Sequence, residues 1–187
     1  MIIRIVAVVF AVAAGLSLCG CLFSESALFT SSEEMTVPDF SGMYVPLEKS
    51  GKMVVDKKAG NVFAVRYGEN ADPDRVLVVP LDARGMYLLQ YESEGDYAFL
   101  VIRHSDDRVD VFTFAALLEE DRDVTKRLEA MLQKHDLNIN NSLRLLETPS
   151  TAKLIGFFTE CAGDPHMLTE FESWIRVPAA AGAAGEE

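Results

Sequence analysis

Cysteine is scarce in this chain: three residues in 187, at positions 19, 21 and 161. No C-x-x-C, H-E-x-x-H, G-x-S-x-G or glycine-rich phosphate loop occurs. The local patterns that carry zinc, redox, serine-nucleophile and nucleotide chemistry are therefore missing. Positive charge is also short. With 17 Lys and Arg against 29 Asp and Glu the formal charge is −12, which repels phosphate backbones and excludes nucleic acid as a partner. Beyond residue 21 no apolar run reaches the roughly 18 residues that a membrane-spanning helix needs.

The reactive residue types that do occur are grouped in ways that carry no mechanism. His104, Ser105, Asp106 and Asp107 supply every member of a hydrolytic triad. Neighbours on one turn cannot converge as nucleophile, base and orienter must, so the four are read as a solvated hairpin turn. Cys161, Asp164 and His166 straddle a helix stop, lack a second Cys or His pair and match no common zinc spacing. Glu119-Glu120-Asp121 reads as the wet face of a helix. The expectation is a protein that is not an enzyme and holds no metal or cofactor. Cys161 follows the apolar run Leu154–Phe158 and is expected to be a small buried core residue rather than a reactive thiol.

What the chain does have begins at its start. Arg4 is followed by the apolar stretch Ile5–Leu18 and then by Leu18-Cys19-Gly20-Cys21. A basic start, an apolar core and a small-residue exit are the parts of a secretory signal. The last four residues resemble the lipobox of bacterial lipoproteins, with Leu first, Gly before the cut and Cys after it. The resemblance implies cleavage between Gly20 and Cys21 and a lipid on Cys21. It also implies a place at the membrane facing the periplasm, and the lack of an Asp beside Cys21 favours the outer membrane. Cys19 is the poorer candidate, because bulky Leu18 would then precede the cut. An ordinary signal peptide or an uncleaved anchor is the alternative. Loss of residues 1–20 removes Arg4 and no acidic residue, leaving 16 basic against 29 acidic side chains, a charge of −13. Acyl chains, not a basic patch, would then hold the protein to a membrane.

Residues 22–37 carry Ser24, Ser26, Thr30, Ser31 and Ser32 and are expected to form, with Cys21, a lipidated flexible tether. Residues 38–178 are expected to be a single domain, and 179–187, rich in Ala and Gly, a disordered tail. From Phe40 to Phe114, turn signals such as Lys49-Ser50-Gly51, Ala59-Gly60-Asn61 and Glu94-Gly95-Asp96 separate short segments rich in Val, Tyr, Phe and Leu. Gaps of hairpin length predict a meander of about seven antiparallel strands. Two segments are apolar on both faces. Val76 and Val78 oppose Leu77, Val79 and Leu81, and Phe99 and Val101 oppose Leu100 and Ile102. Such strands need cover on both sides: one from the sheet curling on itself or from a ligand, the other from the helical C-terminal part. Apolar residues at helical spacing predict a helix over Ala116–Lys134. A second helix is predicted over Thr151–Ala162, capped by Ser150 and stopped at Gly163-Asp164-Pro165. Leu143–Leu146 reads as a short strand. Met167–Val177 fits a closing strand or a short helix, and the strand is preferred. The class is α+β, a curled sheet or small barrel followed by two helices.

Gly42-x-Tyr44, at the first strand, is similar to the G-x-W entry signature of lipocalins and their calycin relatives. Gly95-Asp96-Tyr97 looks like part of their T-D-Y turn. Tyr stands where those families have Trp, and no Arg closes the strand at Phe112-Thr113-Phe114. About five strands fit between Gly42 and Asp96, fewer than a full lipocalin requires, so a smaller sheet or barrel is expected. The resemblance implies a carrier of a small apolar ligand, with Tyr44 and Tyr97 at the pocket. The preferred reading is nevertheless a non-catalytic interaction module, tethered at the membrane and facing the periplasm, that contacts another envelope protein; the carrier is the alternative.

Overall fold

The computed structural model describes residues 22–32, 35–68, 71–81, 85–93, 95–118, 122–140 and 143–178. The signal, Gly20, the lipidation site Cys21, the run Glu119–Asp121 and the tail 179–187 lie outside the described residues.

Seven strands follow one another as a meander from Gly42 to Phe114: β2 (Gly42–Pro46), β3 (Met53–Ala59), β4 (Val62–Tyr67), β5 (Asp74–Pro80), β6 (Met86–Ser93), β7 (Asp96–Ser105) and β8 (Arg108–Phe114). A last strand, β9 (Leu168–Val177), pairs with β2 on one side and β8 on the other. The circuit therefore closes, and the expected seven-stranded curl is an eight-stranded antiparallel barrel. The closing step is a pairing between residues more than 100 apart, Tyr44 with Arg176 for example, which strand counting along the meander does not register.

A three-residue strand, β1 (Leu22–Ser24), adds to the free N-terminal half of β7, with Leu22 opposite Phe99. The segment expected as a tether is thus packed against the barrel. Leu22, Leu28, Phe29 and Val37 are all buried. Two of its residues are held by one buried side chain: the Gln90 Oε1 accepts from the amides of Leu28 and Phe29 at 2.8 and 2.9 Å, and Gln90 Nε2 donates to the Phe29 carbonyl, while the Ser32 amide donates to Asn61 Oδ1.

Alternation along the strands sends one set of side chains into the barrel and the other outward. Both faces are covered, as the two-sided strands require. Val76, Val78 and Ile102 belong to the inner cluster. Leu77, Val79, Phe99 and Val101 belong to the outer one, under the helices. A single turn, α1 (Ala115–Leu118), leads to α2 (Arg122–Lys134) and α3 (Thr151–Gly163). Helix α2 buries Val124, Leu128 and Leu132, one stripe at helical spacing. Helix α3 starts at Ser150, whose hydroxyl accepts from the Lys153 amide, and buries Leu154, Phe157, Phe158 and Cys161. Phe114 packs on Phe157 and Phe158 with ring centres 5.8 and 6.0 Å away. Residues Leu143–Leu146 form isolated bridges, Arg144 to Phe23 and Leu145 to Ile139, rather than a strand.

A bulge at Phe171 leaves that residue without a partner between Glu172, opposite Val111, and Glu170, opposite Phe112. The extra residue resets the alternation, so Glu170 and Ser173 both face outward. They converge there on Asp110. Burial alone would push that carboxyl up, but hydrogen bonds from Ser173, Arg103 and Arg108 hold it below the usual range.

Candidate functional site

Inside the barrel lies a cavity of about 120 Å³. Eight strands enclose an interior just wide enough for side chains or one small ligand, and here the side chains leave part of it unfilled. The walls are inward-facing residues of neighbouring strands at matched heights: Val55 opposite Val65, and Leu89 opposite Val78 and Leu100. The volume approaches that of engineered apolar cavities, about 150 Å³, that stay dry and take up benzene.

One end is closed. The chain entering β2 folds under the barrel and inserts Phe40, whose ring lies edge-on to Phe63 and Tyr87 at 5.2 Å and to His104 at 4.6 Å. Tyr44 is fully buried beside it. The Tyr44 hydroxyl donates to the Phe40 carbonyl at 2.8 Å and accepts from Arg176 Nε and Nη2 at 3.1 and 2.9 Å. The guanidinium also donates to the Asp39 carbonyl. Burial raises the Tyr44 phenol above its ordinary value, and Arg176 opposes that rise only in part. Gly42 is required by this arrangement: its φ is 155°, and a Cβ there would stand 3.1 Å from Arg176 Nε.

The other end is where Tyr67 and Asp74 line the cavity and remain in contact with solvent. Trp174 also lines it, its ring 6.0 Å from that of Tyr67. The indole Nε1 donates to Glu172 Oε2 at 3.0 Å, and Glu172 pairs with Lys49 at 3.2 Å. Asp74 differs: its carboxylate has no hydrogen bond or ion pair with any described residue, and burial pushes it above the usual carboxyl range. The Tyr67 hydroxyl is held above the phenol range, first by burial, then by the nearby Asp74 and Glu172 charges.

Tyr44 lines the cavity. Tyr97 faces the other way and packs against the outer cluster, because it lies on β7 in phase with Phe99 and Val101 rather than with Leu100 and Ile102. Arg176, Asp74, Tyr67 and Trp174 escaped the sequence reading. Arg176 sits on β9, in register with Tyr44 and far in sequence from Phe112-Thr113-Phe114. The hairpin reading of His104–Asp107 holds for the turn itself, but His104 is half-buried against Phe40 and its Nε2 has no hydrogen-bond partner among the described residues. No group of three or more metal-ligating side chains occurs among the described residues. Cys161 is fully buried, its Sγ 3.7 Å from the Met131 sulfur.

Compared with known proteins, the chain matches no family model, no curated protein and no solved structure.

Proposed function

We propose that this chain is a small-ligand carrier of the cell envelope, a closed barrel that holds a compact, largely apolar molecule. The observation that carries this reading is the 120 Å³ interior cavity, walled by valines, leucines and aromatic rings, closed at the Phe40 end and reachable at the Tyr67 end. A well-filled core would leave no such space, since interiors pack with few voids larger than a water molecule. The Gly42-x-Tyr44 entry beneath the barrel, with an arginine laid over the aromatic ring, supports the likeness to lipocalins and calycins. The Leu18–Cys21 lipobox supports a lipid on Cys21 and a place at the outer membrane, facing the periplasm.

Native mass spectrometry of the chain beginning at Leu22 tests the carrier. A small molecule retained from the producing cell is expected, and Leu89→Trp, which fills the cavity, should abolish it. An empty wild-type protein that takes up no small aromatic probe sinks the reading. Growth with labelled palmitate tests the anchor: label on the wild type and none on Cys21→Ser is expected, and equal labelling of both rejects it.

The interaction-module reading has its own observation. Met43, Val45 and Leu47, in and just after β2, and Phe171 of the adjoining β9 are exposed large apolar residues. Capture of an envelope protein that is lost on Val45→Asp would favour it.

A further inference from the structure

The carrier reading leaves the ligand's polar chemistry open, and the inference here rests on that reading. Three facts about the cavity mouth bear on it. First, the one carboxylate among the described residues lining the cavity, Asp74, is unpaired with any of them, whereas Glu172, which also acts on Tyr67, is already engaged by Lys49 and the Trp174 indole. Second, no Lys or Arg lines the cavity among the described residues. Arg176, on the closed end, is committed to the Tyr44 hydroxyl and the Asp39 carbonyl. Third, aromatic rings line the same cavity: Tyr67, which feels the Asp74 charge, Trp174 in contact with it, and Tyr91.

Asp74 keeps contact with solvent, but packing at an apolar wall removes part of its hydration and supplies no partner among the described residues, which disfavours its charged form. A cationic ligand group restores what is missing. The electron-rich faces of Tyr and Trp attract the same charge, and aromatic enclosures are a recurrent means of holding organic ammonium groups. An anionic ligand such as a fatty acid meets the opposite situation: a carboxylate at the entrance, no cation among the described wall residues, and a chain of formal charge −12 around it.

We propose that the barrel selects a compact organic cation, an amine or quaternary ammonium carried on a small apolar body. Its charged group sits at the mouth between Asp74 and the rings of Tyr67, Tyr91 and Trp174, and its apolar part points inward toward Val76 and Leu89. The cavity volume limits the buried part to about the size of one benzene ring. Because ionised Asp74 is the counter-charge, affinity for the cation falls as pH drops and Asp74 protonates. Affinity for a neutral analogue does not follow that group.

The chain contains a single tryptophan, and Trp174 lines the cavity, so its fluorescence reports occupancy directly. The full chain is titrated at pH 7.5 with benzylamine, protonated at that pH, with neutral benzyl alcohol and with benzoate. Benzylamine is expected to bind at least tenfold more tightly than benzyl alcohol, and benzoate more weakly than either. Asp74→Asn, checked by its thermal melt, should bring benzylamine down to the level of benzyl alcohol. Tyr67→Leu should weaken benzylamine more than benzyl alcohol. If benzyl alcohol binds as well as benzylamine, or if Asp74→Asn keeps the full preference, the cation assignment is overturned while the carrier stands. If none of the three probes binds, both fail. The comparison of the first two probes on the wild type needs no variant to fold.

Discussion

Arg176 holds its guanidinium 5.4 Å from the centre of the Tyr44 ring while Nε and Nη2 both donate to the Tyr44 hydroxyl. The two residues are register partners on β9 and β2, the pairing that closes the barrel. One guanidinium thus spans the seam, the aromatic floor and the incoming chain at Asp39.

This pairing predicts coupled stability. Tyr44→Phe leaves the Phe40 carbonyl and two guanidinium donors without their partner, at a cost of about 1–3 kcal/mol. Arg176→Leu loses the hydrogen bonds and the cation–ring contact, for about 1–2 kcal/mol. Urea unfolding of the double variant should show a loss smaller than the sum of the singles by at least about 0.5 kcal/mol. Strict additivity would show that the seam does not depend on this contact.

His104 predicts a pH effect at the floor. Burial, and then the charge of Arg176, holds the imidazole below its ordinary value, so the folded protein resists protonation where the unfolded chain accepts it. Stability from this group is complete above the unfolded pKa, about 6.5, and is lost as pH falls from there toward the depressed folded value. His104→Phe keeps a ring edge-on to Phe40 and removes both the titration and the unpartnered Nε2. At pH 7.5 the variant should be at least as stable as the wild type, and its advantage should grow between pH 6.5 and 5. The other histidines are present in both proteins and cancel in the difference. A difference that stays flat over that range would refute the assignment.

Cys161 predicts chemical silence. Burial, followed by the charges of Glu160 and Asp164, pushes the thiol up to about 12, and the thiolate is the reactive form. The chain from Leu22 should show no thiol reaction with a disulfide reagent at pH 8 over minutes. It should show one thiol per chain once unfolded in guanidinium. Rapid reaction of the native protein would mean that α3 opens locally or that the thiol is not in the core.

The local architecture was written in local pattern, while closure depended on distant pairs. Turn signals marked out the meander, two-sided strands required cover on both faces without saying which faced inward, and helical spacing located the helices at Arg122–Lys134 and Thr151–Gly163, because these follow from spacing over a few residues. The eighth strand was visible at Leu168–Val177, but its double pairing was not, since nothing in a segment names its neighbours. The same holds for residues 22–37. Their serines suggest a solvated chain, yet Gln90, some 61 residues away, receives their backbone. At the site, Tyr44 was legible through Gly42-x-Tyr44. Asp74 was hidden because a carboxylate beside a turn is ordinarily wet. Only the barrel's curvature turns it toward a cavity.

The short strand β1 has a mechanical consequence. An unstructured 22–37 would let a barrel wander roughly 20–24 Å from its attachment. Here Leu22 is already paired to Phe99, one residue after Cys21. With Cys21 acylated, as proposed, the barrel has no leash: it is held within a residue of its lipid and rides close to the bilayer instead of ranging through the open periplasm.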